Sequence, residues 1–146
     1  MQYYALVGDL RQSRQSPDRK ALQELLLDTL KELNGRYEQH MAAFLMVNAG
    51  DAFQGLFFSS APILEICDCI RYALSSKSGI RMGLGYGAIE TAIDRKHSIL
   101  ADGPAFWNAR NALQQVKKED YYGTRTMAIS LSGNRYEYLQ TLVTQV

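Results

Sequence analysis

Apolar residues along the chain alternate between short continuous runs and stripes spaced three and four apart, a pattern that predicts strands and amphipathic helices in regular succession. Tyr3 to Gly8 is a run rich in aromatic and branched residues that stops at Gly8-Asp9, and it reads as a buried first strand. After the polar loop at 11–16, Ser16 before Pro17 supplies an N-cap and a first-turn proline. Leu22, Leu25, Leu26, Leu30, Leu33 and Tyr37 then recur at helical spacing. Met41 to Asn48 and Phe53 to Phe58 are apolar runs joined through Ala49-Gly50-Asp51, a hairpin with Gly50 and Asp51 at its tip. Pro62 opens a second helix with Ile63, Ile66, Cys67, Ile70 and Leu74 on one face. Ile80 to Glu90 reads as a strand whose glycines at 83, 85 and 87 all point to one side. That bare side either lets the first or second helix pack close or leaves room for a nucleotide. Asp102-Gly103-Pro104 starts a third helix with Phe106, Ala109, Leu113 and Val116 as its core stripe. Arg125 to Leu131 reads as a weaker fifth strand, and Tyr136 to Val146 as an amphipathic segment without a Gly or Pro stop.

The predicted order is βαββαβ followed by αβ. It implies an α+β class, a ferredoxin-like antiparallel sheet with helices packed on one face, plus an αβ extension, all in one domain over residues 1–146. In that arrangement the first and third strands are central neighbours, so Asp9 at the end of one meets Asp51 at the start of the other. Two converging carboxylates beside glycine-rich backbone suit a hard divalent cation, Mg²⁺ or Mn²⁺, held together with substrate phosphates. Turn and cap aspartates that bond local amides are the competing explanation for each Gly-Asp pair.

Composition narrows the field of functions. Lys and Arg total 16 against 15 acidic residues, so overall charge carries no footprint of a dedicated nucleic-acid or membrane binder. Cys67 and Cys69 are too close for a mutual disulfide and lack a second pair for zinc, so they are expected as reduced core or near-core thiols. No basic leader or apolar run of about 20 residues is present, and a cytoplasmic, non-membrane protein is expected. No Ser-His-Asp triad, phosphate-binding Walker loop or dinucleotide fingerprint is found.

Four blocks, taken in order, resemble the SatD family of bacterial proteins. They are Gly8-Asp9-Leu10 with Ser13, the stretch Gly50-Asp51-Ala52-Phe53-Gln54-Gly55-Leu56, the strand from Ile80 to Gly87, and Ala101-Asp102-Gly103-Pro104-Ala105-Phe106-Trp107-Asn108-Ala109-Arg110. Ala52 stands where an acidic residue is expected in that family. Its members commonly continue past this length with a helical region linked to DNA binding, so the chain is expected to be the N-terminal part of a longer protein. A nucleic-acid partner would enter only through that region. At one further remove the blocks resemble class III nucleotidyl cyclases and GGDEF palm domains. That resemblance implies Asp9, Asp51 and the Leu10 carbonyl as metal ligands for a bound nucleoside triphosphate. It also implies Ser13 and the amides around Gly50 near phosphates, with Phe53, Asp102, Trp107, Asn108 and Arg110 toward the nucleotide, and a homodimer that completes the site. The activity implied is nucleotidyl cyclisation or formation of a cyclic oligonucleotide; the alternative is a non-catalytic regulatory module. No catalytic residue is assigned.

The departures matter as much. Cyclases place an Asn and an Arg four residues apart on the third helix, whereas Asn108 and Arg110 are two apart, about 200° around the helix. The base-reading lysine of adenylyl cyclases falls at Val47, which cannot donate a hydrogen bond. Trp107 suits either base stacking or a dimer seam, and Asp102 either a helix cap or a metal or ribose contact. Arg11, Arg14, Arg19 and Lys20 suit a triphosphate, a nucleic-acid backbone or solvated loop charge.

Overall fold

The computed structural model describes residues 1–11, 17–74, 78–118 and 127–130. In chain order they form β1 (Gln2–Arg11), α1 (Arg19–Arg36), β2 (Met41–Ala49), β3 (Ala52–Phe58), α2 (Ile63–Leu74), β4 (Gly79–Ala88), α3 (Pro104–Lys118) and β5 (Met127–Ser130). The strands lie in the order β2-β3-β1-β4-β5. β1 is antiparallel to both β3 and β4, β2 is antiparallel to β3, and β5 joins β4 in parallel. This is the expected ferredoxin-like sheet with an added αβ unit.

Alternation along β1 sorts the molecule into two faces. Leu6 and Leu10 point to the side covered by α1 and α2, where Leu26, Leu30, Ile66, Ile70 and Leu74 close over Phe53, Phe57, Ile80, Met82 and Leu84. Each such side chain, fully withdrawn from water, contributes about 1.5–3 kcal/mol. Ala5 and Val7 point to the other side and pack with Leu56, Ala105, Phe106 and Ala109.

The glycine ladder belongs to this second side and corrects one expectation. Neither α1 nor α2 lies over it; α3 does. A Cβ at Gly83 would stand 2.2 Å from the Ala109 carbonyl oxygen, and one at Gly85 2.2 Å from that of Ala105. No nucleotide fits between surfaces already in backbone contact. The large residues at 80, 82 and 84 take the α1/α2 core, so the glycines necessarily face away from it.

Two helix starts also differ from expectation. α1 begins at Arg19 with Asp18 at the cap position and no side-chain cap bond. The expected cap Ser16, with Ser13, Arg14 and the segment 136–146, lies outside the described residues. At α3 the Gly103 carbonyl accepts the Trp107 N–H at 3.0 Å, so Asp102 sits one residue before the cap.

Side chains also close the outer edge of β2. The Asn34 amide donates to the Leu45 carbonyl and accepts the Leu45 N–H, both at 2.9 Å. Next to it, the Phe44 N–H donates to the Arg95 carbonyl at 2.8 Å. The segment 89–103 carrying Arg95 is tied down where the Gln54 amide donates to the buried Ser98 carbonyl at 3.0 Å.

Candidate functional site

Strand register brings the two predicted aspartates to one end of the sheet. Asp9 pairs across strands with Ala52, and the Leu10 N–H donates to the Asp51 carbonyl at 3.2 Å. Gly50 adopts φ 61°, the left-handed conformation that lets β2 reverse into β3 through two residues. The N–H and C=O of a strand residue point the same way, so the Leu10 carbonyl also faces this turn. Arg19, at the start of α1, brings its guanidinium to 3.9 Å from the position a Gly50 Cβ would take.

The Asp9 side chain points to the α3 face and is only 14% exposed. Two cations meet it there. The Arg81 Nε, directly across from it on β4, donates to Oδ1 at 3.0 Å, and the Lys117 Nζ reaches from the last turn of α3 to Oδ2 at 3.0 Å. Arg81 stands in the Ile80–Gly87 strand that resembles the cyclases, with no role assigned, and Lys117 lies outside every resembling block. Arg81 shares the face of the glycine ladder and lies opposite Asp9 in an antiparallel pair, so register alone identifies it. Lys117 follows from Leu113, one helical turn earlier, whose backbone rests on Gly83.

The other predicted nucleotide contacts lie elsewhere. Asp102 accepts the Glu90 N–H through its carbonyl, and a Cβ at Gly103 would touch the Ala88 carbonyl, which places both beyond the far end of β4. Ala88 pairs with Gln2 and Arg81 with Asp9, so the two ends are about 24 Å apart along the strands. At the far end the Arg110 guanidinium donates to Asp102 Oδ1 at 3.0 Å. That bond, aided by the Gly103 N–H and the Trp107 indole, holds the Asp102 carboxyl below the usual carboxylate range. Trp107 beside them is 47% exposed. Between the ends, the Asn108 amide donates to the Tyr86 carbonyl at 2.9 Å, so a backbone acceptor takes it. Phe53 is a correction: it is 1% exposed inside the α1/α2 core and fills the space under Gly8. Val47 packs against the same core.

Chemically, Asp9, Asp51 and the Leu10 carbonyl are the oxygen donors a hard divalent cation takes. Among the described residues no group of three or more His, Cys, Asp and Glu is assembled to hold a metal. Oxygen donors of these kinds suit Mg²⁺ or Mn²⁺, and the partners of Asp9 bear on whether a cation can reach it. Both of its oxygens already carry a cation, Arg81 on Oδ1 and Lys117 on Oδ2.

With this geometry the fold has known counterparts. A light-regulated bacterial adenylyl cyclase superposes with a TM-score of 0.61 over 88% of this chain and 74% of its own, at 12% identity. The guanylyl cyclase domain of a rhodopsin fusion protein from the aquatic fungus Blastocladiella emersonii gives 0.59 over 77% and 74%, at 14% identity. A GGDEF domain from Pseudomonas aeruginosa gives 0.55 over 91% and 83%, at 18% identity. At these identities the likeness is one of fold. No curated protein matches the sequence. The model of the SatD family matches residues 3–145.

Proposed function

The chain belongs to the SatD family, and from that premise we propose that it is a metal-dependent, nucleotide-binding palm domain that works as a homodimer. One observation carries the reading: Asp102, to which Arg110 reaches back from mid-helix, lies beyond one end of β4 and Asp9 lies at the other, about 24 Å away along the strand. A second copy, set head to tail, puts Asp102, Trp107 and Arg110 of one protomer against Asp9 and Asp51 of the other. In that site Asp9, Asp51 and the Leu10 carbonyl hold Mg²⁺ or Mn²⁺, which when bound offsets the charge of the triphosphate. Arg19 beside the turn, and Arg81 behind Asp9, add fixed positive charge.

Mg-ATP or Mg-GTP is expected to raise the melting temperature of the wild-type protein, and Asp9→Ala or Asp51→Ala to abolish the rise. Mixing Asp9→Ala with Arg110→Ala protomers restores part of the binding if the site is shared. No shift with any of the four nucleoside triphosphates ends the reading.

A second reading, a regulatory module that binds nucleotide without turnover, is favoured by a separate observation. Asn108 is taken by the Tyr86 carbonyl, Arg110 by Asp102, and Val47 by the core, which leaves the orienting groups of a cyclase occupied otherwise. Mass spectrometry after long incubation with the four triphosphates separates the two: a cyclic product supports the enzyme, and bound but unchanged nucleotide supports the module.

A further inference from the structure

Asp9 meets its two cations by different routes. Arg81 is its cross-strand partner, fixed on the sheet. Lys117 arrives only because α3 descends onto the glycine ladder, and the two periodicities explain how. Four residues of helix advance about 6 Å and two residues of strand about 6.8 Å, so each helical turn meets the next residue on one face of the strand. Pro104 and Ala105 rest on Gly87, Ala105 and Ala109 on Gly85, and Ala109 and Leu113 on Gly83. The following turn falls over Arg81, the first position on that face with a side chain, and from there Lys117 extends to Asp9 Oδ2.

The Asp9 carboxylate carries one negative charge, and Arg81 and Lys117 set two positive ones against it. Ala52, across from Asp9 on β3, adds none. A divalent cation approaching Asp9 therefore meets excess positive charge until one of these two partners leaves. Of the two cations, Lys117 is the one free to leave. It is a compact charge on a flexible stem, 33% exposed, hung from a helix end, while Arg81 is anchored within the sheet.

We propose that Lys117 is a resident counter-ion of Asp9 that a divalent cation displaces, so that metal loading frees the last turn of α3 from the sheet. This rests on the metal-binding reading above. It deepens that reading by linking occupancy of the site to the helix end that leads toward β5. The lysine then sets the affinity for metal without being a ligand, and the helix end reports whether metal is present.

The experiment uses the whole chain without nucleotide. Mn²⁺ alone is titrated into the wild type, Lys117→Met, Lys117→Gln and Asp9→Asn, with free Mn²⁺ read by its paramagnetic resonance signal. Both Lys117 variants keep a long stem over the helix. They are expected to bind Mn²⁺ at least tenfold more tightly than the wild type, and Asp9→Asn is expected to bind none. In the wild type, Mn²⁺ is also expected to speed amide exchange several-fold at 114–118, and in the Lys117 variants exchange there is already fast. Equal or weaker Mn²⁺ affinity in the Lys117 variants, with Asp9 still required, overturns the counter-ion role and leaves the metal reading standing. Absence of Asp9-dependent Mn²⁺ binding in every variant overturns both.

Discussion

The two faces of the sheet are built on opposite principles. Under α1 and α2, bulk does the work: phenylalanine, leucine, isoleucine and methionine side chains fill the space between helix and strand. Under α3, absence does it, since glycine and alanine let helix and strand backbones touch. The first arrangement tolerates small shifts of a helix, because side chains adjust by rotamer. The second fixes the helix position to a fraction of an ångström, because carbonyl and amide atoms cannot repack. The charged cluster sits at the end of the second face, where exact placement of a lysine depends on it.

Substitutions break this comparison in graded fashion. Phe57→Ala, which empties the α1/α2 core, is expected to cost about 3–5 kcal/mol in urea unfolding. Gly85→Ala, which only adds a methyl group, is expected to cost about 3 kcal/mol, the upper part of the overpacking range, because backbone stands in its way. The two differ at the site. Gly85→Ala lifts α3 and with it Lys117, so it changes metal affinity in the folded protein, whereas Phe57→Ala leaves affinity unchanged until the protein unfolds. Equal effects on both quantities would remove the distinction between the faces.

A smaller effect is expected from Asp9→Asn, which removes the charge from two charge-assisted bonds. A loss of about 1–3 kcal/mol is expected from urea unfolding in the absence of metal. Alkylation tests the α1/α2 side more gently. Burial pushes the Cys67 thiol up to about 12, while Cys69 is half-buried at the surface of α2. Peptide mapping after brief iodoacetamide treatment at pH 8 should therefore find Cys69 modified well before Cys67.

The smallest effect is one of pH. The Tyr37 hydroxyl donates to Glu65 at 2.8 Å, and this bond, with burial, raises its pKa to about 12 from an ordinary 10. Because the folded value is the higher one, the contribution is complete below about pH 10 and is lost as pH rises toward 12. Tyr37→Phe should flatten that alkaline limb in pH-dependent melting and leave the acid side unchanged.

The α1/α2 face was legible in the sequence because its residues carry hydrophobic weight at the right period. Leu22, Leu26, Leu30 and Leu33 declare a helix face, and Ile80, Met82 and Leu84 declare the strand face that meets it. The α3 face was half legible. Gly83, Gly85 and Gly87 announce that something approaches closely, but small residues have no periodic signal strong enough to say which helix. Asp9 and Asp51 came together through topology alone. The separation of Asp102, Trp107 and Arg110 from them was hidden because a motif read in order along the chain carries no strand direction; antiparallel pairing of β1 with β4 sends its two halves to opposite ends. Arg81 emerges once register is known, and Lys117 only once the docking of α3 is known as well.

The clasp of Asn34 on Leu45 has a bearing on assembly. An outermost strand offers unpaired amides and carbonyls to any passing strand, and on β2 the polar groups of Leu45 and the amide of Phe44 already have partners. A second copy meets groups already taken at Phe44 and Leu45, which disfavours extension of the sheet through this stretch of the border. Removing the clasp with Asn34→Ala would open a docking strip that the folded chain keeps shut.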